Sequence, residues 1–232
     1  MTSLRIVRLL PDLLAVNGCL GNAEILRVRA EWWGWKVTVT DAVEGEKFPA
    51  SADVLVIGHG TSSAALRAAQ ALHGWSSRIV SLYEKGATLV GFGLGGDLLG
   101  QSVDIAGERR EGLGLTPIHA VLPHRHVSTE VWGVYSEGRQ SAGYLNDLVG
   151  REPSPTPLLT VRAPSSAIGA EGHRGERLFV SAVSGPLLGL NPHIADEILR
   201  SQHVVPDPTQ WHVAADTAAA NARRAIAKRL GA

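Results

Sequence analysis

The stretch Asp53–Ser102, DVLVIGHGTSSAALRAAQALHGWSSRIVSLYEKGATLVGFGLGGDLLGQS, decides the fold class of this chain. It opens on a continuous apolar run, DVLVIG (Asp53–Gly58), that ends in glycine, as a strand buried on both faces does. A helix is predicted from about Ser63 to Gly86, with a break at Gly74. A second apolar run, ATLVGFGL (Ala87–Leu94), then enters GGDLLGQS, which reads as a tight turn into a short helix. Strand, helix, strand and helix in this order point to a parallel sheet covered by helices.

Working outward, Leu4–Leu10 is β-rich, and AEILRVRAEWW places Ile25, Leu26, Val28 and Trp32 near helical spacing, with Asn22 as the expected N-cap. Lys36–Thr40 alternates as a short strand. Four strands alternating with helices make the first half doubly wound. The second half differs. TPIHAVL, HVSTEVWGVY, SAGYLNDLV, PLLTVRA and ERLFVSAVS are strand-like with little helix between them, so an antiparallel or mixed extension of the sheet is expected there. The closing segment DTAAANARRAIAKRL is helical. Arg151–Pro157 and Ala163–Arg177 read as loops, and residues 1–232 are expected to form a single domain.

Composition removes several functions. With 22 Lys+Arg against 22 Asp+Glu in 232 residues, the chain lacks the basic footprint of a nucleic-acid binder. One cysteine, Cys19, excludes an internal disulfide and any multi-cysteine metal site, and allows a reducing, cytoplasmic setting. Pro11 and Asp12 interrupt the apolar N-terminal stretch, and prolines with Asn191 interrupt Leu178–Ala195, so no membrane insertion is expected.

The motif GFGLGG (Gly91–Gly96) has the spacing of a dinucleotide fingerprint. It follows the fourth strand rather than the first, and no strand-terminal acidic residue stands about 20 positions on to hold a ribose. The same segment fits a nucleophile elbow, a sharp strand-to-helix turn that projects one side chain over the sheet. Leu94 sits at that apex, and leucine has nothing to deprotonate. The alternative is that these glycines simply allow close helix–strand packing. The turn GHGTSS (Gly58–Ser63) ends a neighbouring strand and is placed to supply oxyanion donors beside His59. His124 and His126 in PHRH make too weak a set for a metal without a carboxylate or thiolate, and no metal or cofactor is expected. Trp32, Trp33 and Trp35 exceed what core packing needs and suggest a partner surface.

At this point a resemblance covers nearly the whole chain. LLPDLLAVNGCLGNAEILRVRAEWWGW, VLVIGHG, GLGGDLLGQ, GLGLTPI, SGPLLGLNPHIADEIL and ARRAIAKRL together resemble the GatD-type subunit of bacterial lipid II isoglutaminyl synthase, a class I glutamine amidotransferase of the cobyric acid synthase-like branch. The resemblance implies a flavodoxin-like class I amidotransferase fold. It also implies a cysteine at the elbow that attacks glutamine, a histidine before the Gly-Pro-Leu segment as its base, and delivery of ammonia to a MurT-type Mur-ligase partner. Those two positions are Leu94 and Ser184 here. The oxyanion and pocket positions are Gly58, His59, Gly60, Gly95, Gly96 and Asp97. Further departures are His59 within the oxyanion turn, Gly18-Cys19 for an early Gly-Asp step, and Glu130 where a basic residue is expected.

Three functions follow. The chain is a glutaminase-defective subunit paired with a Mur-ligase-like protein; or a pocket of His59, Asp97 and Ser184 binds or transforms a small amino acid or amine; or Cys19 supplies a relocated nucleophile, since the first and third strands adjoin in a flavodoxin-like order.

Overall fold

Alternation along the strands sorts the apolar residues into two cores. The computed structural model describes residues 1–121, 126–148, 150–167 and 169–232. The chain runs β1 (Ser3–Leu9), α1 (Gly21–Trp32), β2 (Lys36–Ala42), β3 (Val54–Ile57), α2 (Ser62–Glu84), β4 (Thr88–Phe92), α3 (Gly93–Asp97), β5 (Ser102–Ile105), β6 (Glu108–Glu111) and β7 (His119–Val121). It continues as β8 (His126–Val134), β9 (Gln140–Leu148), β10 (Leu159–Ala163), β11 (Gly169–Glu171), β12 (His173–Arg174), β13 (Leu178–Ser181), β14 (Val183–Ser184), α4 (Leu187–Leu190), α5 (Pro192–Arg200) and α6 (Gln210–Leu230).

The central sheet has the order β2-β1-β3-β4-β13-β12. Its first five strands pair in parallel, and β12 closes the edge antiparallel to β13. Leu4, Ile6, Val54, Val56, Val90, Phe92 and Phe179 point to one core, with α1, α4 and α5. Their neighbours Val7, Leu9, Leu55, Ile57, Leu89, Leu178 and Val180 point to the other, with α2 and α3. A two-faced sheet needs such continuous apolar runs, and burying each Leu or Ile contributes about 1.5–3 kcal/mol. This is an α/β fold with a flavodoxin-like strand order.

The antiparallel second half is present, largely as a sheet of its own, β11-β10-β8-β9-β14, built on the long β8–β9 hairpin. Only β12 and β13 join the central sheet. TPIHAVL contributes β7 to a small third sheet with β5 and β6. Val127, Val131 and Leu145 pack the antiparallel sheet onto the α1 side of the central one.

Three local expectations change. Helix α2 runs through Gly74 without a break, because Gly74 is exposed and a single glycine costs a helix only about 1 kcal/mol. Asn22 lies inside α1 rather than capping it: its amide donates to the carbonyls of Cys19 (2.7 Å) and Gly185 (3.0 Å) and accepts from the Leu188 N–H (2.9 Å). It thereby ties α1 to the segment around α4. Helix α6 begins at Gln210, ahead of the predicted Asp216, behind a reciprocal cap between Thr209 and His212.

Of the three tryptophans at the end of α1, Trp35 is buried and Trp32 and Trp33 are half-buried. His212 stacks on Trp33 at 4.2 Å between ring centroids and meets Trp32 edge-on at 5.2 Å, while Trp35 is 6% exposed. Arg29 sits below this cluster, bonded to both Asp196 oxygens (2.7 and 2.8 Å) and to Asp216 (2.8 Å), and so joins α1, α5 and α6. Among the described residues no helix is long and apolar enough to cross a membrane.

Candidate functional site

The site is organised by glycines that let three backbones meet. Strand β4 turns into α3 at Gly93, whose φ of +51° lies in the left-handed region. A side chain there would place its Cβ 2.2 Å from His59 Nδ1. At Gly95 a Cβ would lie 2.0 Å from the Gly58 carbonyl oxygen, and at Gly58 one would lie 2.0 Å from the Leu14 carbonyl oxygen. Gly60 and Gly96 are similarly hemmed in, by Leu13 and Leu14 and by Gly91 and Val180. The glycine pattern therefore has a sufficient packing reason: it seats α3 on the loops that follow β1 and β3.

At the apex of this elbow Leu94 is 3% exposed and belongs to the α2-side core. Its backbone N–H donates to His59 Nδ1 at 3.1 Å. An accepting Nδ1 leaves the proton of the neutral ring on Nε2. The His59 carbonyl in turn accepts from Val16 N–H at 2.9 Å, which fixes the loop after β1 against the turn after β3. His59 is thus a positioning group at the elbow.

In front of the elbow opens a pocket of about 260 Å³. His59, Gly60 and Leu94 line it, together with Asn17, His126 and Asn146. Asn146 Nδ2 donates to Asn17 Oδ1 at 3.0 Å, and Asn17 Nδ2 donates to the Asn146 carbonyl at 3.3 Å and to Ser184 Oγ at 3.5 Å. Ser184 is 3% exposed and stands behind Asn17 rather than in the pocket wall. Among the described residues no carboxylate lines this pocket.

Two candidates from the sequence lie elsewhere. The loop after β1 does reach the elbow pocket, through Val16 and Asn17, but Cys19 itself is fully buried in the α1-side core and does not line it. Asp97 ends α3 with no exposed surface, and both of its oxygens accept from Arg151, at 2.6 and 2.7 Å. The grouping of His59, Asp97 and Ser184 is accordingly not one pocket. Asp97 is held on the far side of α3 by a cation from the loop after β9.

Sequence reasoning missed the residues that complete these surroundings. Asn17, Asn146 and Arg151 carry no motif signal, because each finds its partner far along the chain. Glu171 was also missed: its carboxyl accepts from Ser181 Oγ at 3.1 Å and from the Ala182 N–H. Burial pushes its pKa up to about 7, with Asp97 adding to the rise and the Ala182 amide, Arg151 and Ser181 opposing it. Glu130 pairs with Arg229 through Nε at 2.8 Å, which holds its carboxyl below the ordinary glutamate range. Among the described residues no group of three or more His, Cys, Asp and Glu could hold a metal; His126 lines the elbow pocket, and His124 lies outside the described residues.

No known family profile and no curated protein matches the sequence. Solved structures do match. The chain is similar to a glutamine amidotransferase at 17% identity, covering 85% of this chain and 99% of that one with a TM-score of 0.55. It is also similar to a chain of PurLQS from Thermotoga maritima at 12% identity, covering 87% and 97% with a TM-score of 0.53. A further glutamine amidotransferase from Thermotoga maritima matches at 12% identity over 98% and 97%, with a TM-score of 0.50. At such identities the likeness is one of fold, and the chain has a class I glutamine amidotransferase-like fold.

Proposed function

We propose that this chain is a GatD-like subunit that has lost glutaminase chemistry and pairs, as a heteromer, with a MurT/Mur-ligase-like subunit that forms amides at the expense of ATP. The observation that carries this reading is the elbow apex: a buried Leu94 in place of an ionisable nucleophile, with its N–H bonded to His59. Covalent attack on a glutamine amide needs a side chain that can lose a proton and a base that receives it. Ser184, behind Asn17, supplies no such base. In a serine-hydrolase series, loss of the nucleophile alone costs about a million-fold, so residual turnover would sustain no pathway.

On this reading the chain acts as one cytoplasmic domain that gives its ligase partner structure and orientation, and the ligase draws on free ammonia or another amine. The route is peptidoglycan amidation or a related specialised amide-forming pathway. Co-expression with a Mur-ligase-like protein from the same organism tests it. The expected result is a complex on size-exclusion chromatography that amidates its acceptor when given ammonia. A chain that stays monomeric with every such ligase contradicts the proposal.

A second reading is favoured by the pocket remaining open: the amide groups of Asn17 and Asn146 with His59 and His126 surround a space that fits a small amino acid or amine. Thermal shift with such compounds tests it, and no stabilisation by any of them counts against it.

A further inference from the structure

Behind the elbow lies a second cavity, of about 140 Å³, that shares no lining residue with the elbow pocket. It is close in size to an engineered cavity of about 150 Å³ that takes up benzene. Ile118, Leu145, Pro153 and Ala167 give it apolar walls, and Arg151 and Glu171 give it charge. The Arg151 guanidinium is engaged by both oxygens of Asp97. The two hydrogen-bond donors to the Glu171 carboxyl, Ser181 Oγ and the Ala182 amide, are both neutral. Glu152 adds a further negative charge at the exposed rim. Among the described lining residues Arg151 is the one cation, facing Glu171 and Glu152 in the wall and Asp97 behind it.

A partly buried carboxylate costs desolvation that two neutral donors offset only in part, and the cation beside it, Arg151, is shared with both oxygens of Asp97. An anionic ligand would face two glutamates. A compact cation with an apolar body would meet a carboxylate acceptor on one side and aliphatic wall on the other. We propose that this cavity is a binding site for a small organic ammonium ion, with Glu171 receiving the ammonium and Ile118, Leu145 and Ala167 receiving the hydrocarbon. The site is independent of the partner reading, and loss of either leaves the other standing.

Benzylammonium is the probe, with benzyl alcohol and benzoate as neutral and anionic controls. In NMR titrations of the full chain, benzylammonium is expected to bind saturably and to shift the amides of Glu171 and Ala182, while benzoate does not. Glu171→Gln keeps an acceptor for the Ala182 N–H but removes the charge, and is expected to weaken binding about tenfold or more. Ala167→Leu, which fills the cavity without touching a charged group, is expected to abolish it. Because burial raises the Glu171 pKa to about 7, binding is expected to be roughly tenfold tighter at about pH 8 than at about pH 6. Benzoate or benzyl alcohol binding as well as benzylammonium overturns the proposal. So does benzylammonium binding that both variants leave unchanged, or no saturable binding at about pH 8.

Discussion

The two ends of α3 face opposite chemistries. At its start Leu94 looks onto a pocket of histidines and asparagines in which no described carboxylate stands. At its end Asp97 is locked to Arg151, beside Glu171, whose pKa burial raises. The first side, at the elbow, presents imidazoles and amides around a leucine that has nothing to deprotonate. The second side keeps buried charge that no glutaminase step requires. The contrast teaches that the elbow has packing reasons of its own: Gly58 and Gly95 are hemmed in by backbone oxygens and Gly93 by the His59 side chain, whether or not a nucleophile stands between them.

The contrast can be broken most severely from behind. Asp97→Ala removes both carboxylate contacts from the Arg151 guanidinium, which is 13% exposed, and is expected to cost about 3 kcal/mol in urea unfolding, with Asp97→Asn costing less. A loss under 1 kcal/mol, on the order of an exposed pair, would show that the ion pair is not a keystone. From the packing side, Gly95→Ala forces a Cβ to 2.0 Å from the Gly58 oxygen, and about 2–3 kcal/mol should be lost by the same measurement.

Titration sharpens the comparison. Glu171 has its folded pKa raised to about 7 by burial, so the folded state holds a proton that the unfolded state has released. Stability from this group is fully present below the ordinary glutamate pKa of about 4.3 and is lost as pH rises through about 7, by roughly 3–4 kcal/mol. Unfolding of wild type and Glu171→Gln across that window should therefore diverge. His193 acts in the opposite direction. Burial first, then Arg223 and Arg139, push its pKa down to about 4, so its contribution is present above the ordinary histidine pKa and is lost as pH falls. A difference between wild type and Glu171→Gln that does not change with pH would refute the assignment to Glu171.

The smallest effect expected is a gain. Gly74→Ala, on the exposed side of α2 with nothing within 4 Å of the new Cβ, should raise stability by about 0.5–1 kcal/mol. Thermal unfolding checks it.

Much of this molecule was legible in its sequence because the central sheet is buried on both faces. DVLVIG and ATLVGFGL announced β3 and β4 and the elbow between β4 and α3, and their order implied parallel pairing. The strands of the second half were equally visible, but their division between two sheets was not: β13 and β14 are one residue apart and pair in different sheets. The elbow residues Leu94, His59 and Gly58–Gly60 were legible for the same reason, since a strand end fixes where they point. Asp97 and Ser184 are grouped with His59 by the strand-end positions and the resemblance, and Cys19 is brought towards the same pocket by the expected strand order. Their locations depend on Arg151, on the α1-side core and on Asn17, and spacing along the chain carries none of those contacts.

The central claim is that the elbow has no nucleophile, and the direct test is glutamate release from glutamine by the purified chain, alone and with the Mur-ligase-like partner proposed for it, using ammonia to establish that the ligase is competent. The account predicts no glutamate above background together with amide formation from ammonia. Glutamate release that disappears on changing Cys19 or Ser184 would contradict it, and would place a working amidotransferase site where the structure shows a buried thiol or a serine behind Asn17.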